Sequence, residues 1–153
     1  MQVIKGNPQY TDICLSIARE LPQYFTAQGI TAMSQDILIH RLYVAIDSSE
    51  VVGFATLLAK NSQVAEISWM AVRPAQQRHG VGTLLMDQII SDLKAEGVKL
   101  LEVKTLASTV DYAPYELTRR FYESRGFVLL ETIDPFPEWE PGNPCAIYIK
   151  GIA

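Results

Sequence analysis

The segment Glu66–Thr83, EISWMAVRPAQQRHGVGT, constrains this chain more than any other. It begins as an apolar run of strand composition and is stopped by Pro74, which has no amide hydrogen for a sheet ladder. A polar stretch, Ala75–His79, then leads through Gly80-Val81-Gly82 into a helical pattern. At a helix start several amide hydrogens lack intrahelical partners and the peptide dipoles add partial positive charge, so such a loop is an anion site. Gly80 and Gly82 let the backbone approach a ligand closely. Arg73, Arg78 and His79 add donors, and no acid lies between Ala71 and Met86.

Two nucleotide fingerprints can be tested against this loop, and both fail. A P-loop needs Lys followed by Ser or Thr after its last glycine, whereas Gly82 is followed by Thr83 and Leu84. A dinucleotide fingerprint needs a third glycine where Leu85 stands. The helix that follows has apolar Val81, Leu84, Leu85, Ile89 and Leu93 on one stripe, polar Asp87, Ser91 and Lys94 on the other, and Gly97 at its expected C-cap.

Around this segment the chain reads as one alternating series. A short strand at Gln2–Lys5 precedes a helix over Pro8–Glu20 and a second short helix over roughly Ala32–Arg41. Then come the strand patterns LYVAID, VVGFATLLA and VAEISWMAV, and beyond the central helix LLEVKTL, a helix over Tyr115–Ser124, FVLLETI and CAIYIK. Strands outnumber helices in mixed order. The expected fold is therefore α+β, a mostly antiparallel mixed sheet of about six to seven strands with helices on both faces. The 153 residues suit a single domain over 1–153.

Composition narrows the partners. Thirteen basic against seventeen acidic residues give a net charge of -4, which argues against nucleic acid as the main partner. No apolar run reaches the roughly 18–20 residues of a membrane span, and no signal-peptide core is present, so a cytoplasmic location is expected. Cys14 and Cys145 lie outside any metal-binding spacing, and no metal is expected; both read as buried small hydrophobes. His40 is expected on a helix surface.

The run AVRPAQQRHGVGTLL resembles the acetyl-CoA-binding motif of the GNAT superfamily of N-acetyltransferases, read here as Gln77-Arg78-His79-Gly80-Val81-Gly82. Downstream, RRFYESRGF at Arg119–Phe127 looks like the family's Phe-Tyr-x-x-x-Gly-Phe helix. The resemblance is good over roughly Val44–Val128 and weakens in the link Ala107–Glu116 and in the tail. It implies a GNAT fold and direct acetyl transfer from acetyl-CoA to a primary amine. Coenzyme A would be the product, no acetyl-enzyme would form and no metal would be required. Backbone amides over Gln77, Arg78, His79, Gly80, Val81, Gly82 and Thr83 would hold the coenzyme pyrophosphate, and Met70, Ala71 and Val72 would pair with the pantetheine arm. Tyr122 falls at the family's general acid and Glu66 where several members place a general base. The helix-terminal glycine of the second motif, Gly126, needs only a left-handed conformation.

The acceptor is read from charge. Gly126–Ile149 contains Glu131, Asp134, Glu138 and Glu140 without a single Lys or Arg, so this stretch carries the whole acidic excess. An acidic rim concentrates cations, and Phe136 and Trp139 could add an aromatic wall, so a small cationic amine is the expected partner. A non-catalytic acyl-CoA sensor, transfer of a longer acyl group and a peptide or protein acceptor are the alternatives. A homodimer is compatible with the family. The aromatic link Thr109–Glu116 reads equally as a lid or as a surface insertion.

Overall fold

The computed structural model describes every residue, Met1–Ala153. β1 (Gln2–Lys5), β2 (Arg41–Asp47), β3 (Glu50–Ala59) and β4 (Val64–Val72) form an antiparallel meander. Its turns follow from local chemistry. Ser48 and Ser49 both take positive φ, as a two-residue hairpin of matching twist requires. The Asn61 side chain accepts the amides of Gln63 and Val64 and so closes the β3–β4 turn.

β4 leads through α3 (Val81–Ala95) into β5 (Leu100–Leu106), and these two strands are the only parallel pair. A parallel pair needs such a crossover. β7 (Cys145–Gly151) pairs with β5, and β6 (Val128–Ile133) forms the edge, giving the order β1-β2-β3-β4-β5-β7-β6. α1 (Thr11–Arg19) and α2 (Ala27–Ile39) bury Cys14, Ile17, Met33 and Ile37 against Val44, Phe54 and Ala71. On the opposite face α3 and α4 (Ala113–Ser124) bury Val81, Leu85, Ile89, Leu93 and Tyr122 against Ala65, Ile67, Leu101 and Val103. Each buried aliphatic side chain contributes about 1.5–3 kcal/mol relative to exposure. The expected mixed sheet with helices on both faces is thus observed, and both cysteines are fully buried. No helix is long and apolar enough to cross a membrane.

Three local expectations need correction. α2 starts at Ala27 rather than Ala32, because Thr26 Oγ1 accepts the Gly29 amide and caps a helix that tolerates that glycine. α4 starts at Ala113, two residues earlier than Tyr115, with Pro114 in the first turn where its missing N–H costs nothing. His40 is not on a helix surface: the chain turns extended there and its side chain folds inward to Ser68.

One irregularity positions everything that follows. Opposite β3, Thr56 pairs with Trp69 and Leu57 with Ile67, so Ser68 is an extra residue, a bulge. β4 and β5 are hydrogen-bonded only from Val64–Leu100 to Ile67–Val103, although β4 runs on to Val72 and β5 to Leu106. Beyond the bulge the strands part, and the β4 edge toward β5 is left open.

Candidate active site

The open edge ends at the glycine loop. Pro74–Gln76 forms one tight turn, after which Arg78 (φ 66°) and Gly80 (φ 83°) both take left-handed conformations. The N–H groups of Arg78, Gly80, Val81, Gly82 and Thr83 make no hydrogen bond within the chain. They are therefore a run of free donors at a helix start, suited to a phosphate or pyrophosphate. A Cβ on Gly80 would meet nothing within 4 Å, so that glycine serves its backbone conformation and not a packing contact. Arg78 and His79 are exposed and unpaired, whereas Arg73 is committed to Glu20 (2.6 Å) and to the Val51 carbonyl (2.8 Å). The Gln77 side chain donates to the Val72 carbonyl at 3.3 Å, tying loop to strand.

Met70 and Val72 face the α3 side and Ala71 the α1–α2 side, as strand alternation requires. Tyr122 lies in the same buried cluster as Val103 and Ala107 at the outer end of β5. Its hydroxyl has no hydrogen-bond partner in the chain, and burial, with Tyr115 nearby, pushes its pKa up to about 12. Thr105, on the parted stretch of β5, is 3% exposed and its hydroxyl is also unpartnered. Buried polar groups normally find partners, so an orphan here, beside an open strand edge, fits a polar ligand passing between the strands. Nothing in the sequence singled out Thr105.

Glu66 stands on the opposite face from Tyr122, and the two do not touch. It is 7% exposed rather than solvated. Lys104 donates to it at 3.1 Å, Lys60 lies at 3.7 Å, and Glu102 shares both lysines. Burial raises the Glu66 pKa, with Glu102 adding to the rise and Lys104 opposing it. Burial acts the same way on Glu102, but Lys60 and Lys104 outweigh it and hold that group low. The Phe136 ring covers Lys104 at 5.5 Å and stacks edge-on with Trp139, so the expected aromatic wall exists but already holds an internal cation. This contact brings the acidic β6–β7 loop to the Glu66 face. Glu131, Asp134, Glu138 and Glu140 are all exposed and none joins an ion pair.

The link before α4 is pinned. Tyr112 donates to the Gln23 carbonyl (2.6 Å), Tyr115 to the Tyr24 carbonyl (2.9 Å), and Tyr24 back to Pro114 (2.9 Å). It joins the far side of the parted strands to the α1–α2 connection, whose Phe25 packs on Trp69 of β4.

A mixed sheet parted between two parallel strands, with free amides at the end of the parting, is a scaffold for a long phosphate-bearing ligand. Residues 39–129 match the family model for the acetyltransferase (GNAT) domain, more than half of the sequence, and the chain belongs to that family. Solved structures share the fold at low identity. A GNAT-family protein from Desulfovibrio desulfuricans superposes with a TM-score of 0.85 at 22% identity, covering 99% of this chain and 98% of that one. The aminoglycoside 6'-N-acetyltransferase from Enterococcus faecium gives 0.75 at 16%, covering 100% and 98%. A GNAT-family acetyltransferase from Elizabethkingia anophelis, with acetyl-CoA bound, gives 0.71 at 21%, covering 98% and 97%. No curated protein sequence matches the chain.

Proposed function

We propose that residues 1–153 act as one catalytic domain, an acetyl-CoA-dependent N-acetyltransferase that acetylates a primary amine of a small cationic molecule. The observation that carries this reading is the open β4 edge running from the Ser68 bulge to the unpaired amides of Arg78 and Gly80–Thr83. Those amides, with Gln77 and His79 beside them, would hold the pyrophosphate, and Met70, Ala71 and Val72 the pantetheine arm. The arm would start at the loop and run down the strand, bringing its thioester end to the bulge. The acetyl-CoA-bound and aminoglycoside-acetylating relatives of the same fold agree with this choice of ligand and acceptor.

In the transfer the ammonium of the acceptor first gives up one proton. The amine nitrogen then attacks the thioester carbonyl carbon, a C–N bond forms, the C–S bond breaks, the nitrogen loses its second proton, and coenzyme A leaves as a thiolate that takes a proton from water. Tyr122 donates a hydrogen bond to the departing sulfur. Full transfer from a phenol at about 12 to a thiolate whose acid titrates near 8.5 is uphill by about 5 kcal/mol, so hydrogen bonding is the useful contribution. Glu66 receives the cationic amine and assists loss of its proton, directly or through water; burial raises its pKa in the helpful direction.

The test is thiol release from acetyl-CoA against amines of graded charge. Polyamines and aminoglycosides should outrun neutral and anionic amines. Coenzyme binding without thiol release from any amine would favour a non-catalytic sensor, and preference for an anionic acceptor would sink the cationic assignment.

A further inference from the structure

One half-buried polar array has no part in that reading. His40 Nδ1 lies 2.9 Å from Ser68 Oγ, and Ser68 Oγ lies 2.7 Å from Thr56 Oγ1. The His40 side chain is 8% exposed, with Nε2 3.9 Å from Asp36 Oδ1, and Asp36 in turn accepts the Trp69 indole N–H at 2.7 Å. Thr56 is fully buried. Apolar side chains would fill this space without any need for partners, so an array of this kind has to be explained.

Its place explains it. Ser68 is the bulge residue, the first on β4 beyond the last pair with β5. A ligand arm running down from the glycine loop along Val72–Met70 would reach Ser68 with its far end. Glu66, two residues earlier and engaged by Lys104 and Lys60, is assigned the ammonium proton lost before attack, so the second proton, lost as the C–N bond forms, needs an exit of its own. Behind His40 lies a surface depression of about 270 Å³. It is lined by Lys5, Asn7, Arg41 and Tyr43 among others. The charged groups around the imidazole are therefore Asp36 from α2, Lys5 from β1 and Arg41 from β2.

Resting on the N-acetyltransferase reading, we propose that Ser68 and His40 carry the acceptor's proton from the cleft to solvent. Thr56 donates to Ser68 Oγ, and Ser68 donates to His40 Nδ1, the imidazole carrying its own proton on Nε2 toward Asp36. As the amine nitrogen bonds to the thioester carbon, its proton passes to the free lone pair of Ser68 Oγ. The hydroxyl proton of Ser68 moves to His40 Nδ1, the imidazolium, faced by Asp36, releases its Nε2 proton into the depression, and exchange with solvent returns the ring to the Nε2–H tautomer before the next cycle. Histidine suits such a shuttle because it takes up and gives back protons near neutral pH. Ser68 is the catalytic residue here, and His40, which acts through it, is a positioning residue and proton carrier.

His40→Gln keeps an acceptor for Ser68 but cannot carry the proton. It should lower kcat about 10–100-fold at neutral pH and flatten the acid limb of kcat/KM, with KM for acetyl-CoA changed less than about twofold. Ser68→Ala should act in the same direction with coenzyme A binding retained. A His40→Gln enzyme with unchanged rate and acid limb would overturn the relay. So would a ¹⁵N NMR spectrum of the wild type showing the His40 proton on Nδ1, a readout that needs neither variant nor turnover. If the wild type releases no thiol with any amine, the N-acetyltransferase reading fails and takes the relay with it; failure of the relay alone leaves wild-type turnover intact.

Discussion

Tyr122, on the buried side of α4 where it packs on β5, is 9% exposed, and its hydroxyl has no partner within the chain. Because that hydroxyl bonds to nothing in the chain, Tyr122→Phe should cost less than about 1 kcal/mol in a denaturant titration. The same variant should lose about 10–100-fold in turnover with coenzyme binding nearly intact. The sign of its pKa shift adds a pH expectation. Burial favours the neutral phenol, so the wild-type rate should show no falling limb from Tyr122 until the pH approaches about 12. Rates unchanged by the substitution across pH would remove Tyr122 from the reaction. For Glu66, sequence alternation puts Glu102 and Lys104 on one face of β5, but only the parallel register Glu66↔Glu102 reveals that two acids share two lysines.

Elements were predicted best where hydrophobic period and punctuation agree, as in α3, whose Val81, Leu85, Ile89 and Leu93 are buried and whose Asp87, Ser91 and Lys94 are exposed. Boundaries failed where a cap contradicts propensity, as at Thr26 with Gly29 in the first turn of α2. Long-range fit was not legible at all. A Cβ on Gly53 of β3 would stand 2.9 Å from Val81 Cγ1 and 3.0 Å from the Ala71 carbonyl, so this glycine makes room for the first turn of α3 beside β4. Gly53→Val should therefore destabilise the fold by about 1–3 kcal/mol and weaken coenzyme A binding by displacing the amide donors. Calorimetric binding and thermal unfolding measure both, and wild-type values for either would show that the α3 start has slack. The link over 107–116, which sequence left open between lid and insertion, is tethered through Tyr24, Tyr112 and Tyr115 to the α1–α2 connection.

At the scale of the whole molecule, the net charge of -4 has a location. The four acids of the tail are exposed and unpaired, and Phe136 over Lys104 brings the β6–β7 loop to the face that carries Glu66. An unpaired acidic rim draws cations over about a Debye length, near 8–10 Å at physiological salt. Glu138→Lys with Glu140→Lys should raise KM for a polyamine several-fold with kcat little changed, and added salt should raise the wild-type KM in the same way. A KM indifferent to both would place the acceptor elsewhere. The central claim, direct passage of an acetyl group from acetyl-CoA to an amine in the parting of β4 and β5, is tested most directly by mass spectrometry. Protein, acetyl-CoA and a polyamine are mixed, and free thiol, N-acetylated amine and intact protein are measured together. Thiol and N-acetyl product should appear in equal amounts while the protein gains no acetyl group. An acetylated protein, or thiol and product absent with every amine, would contradict it.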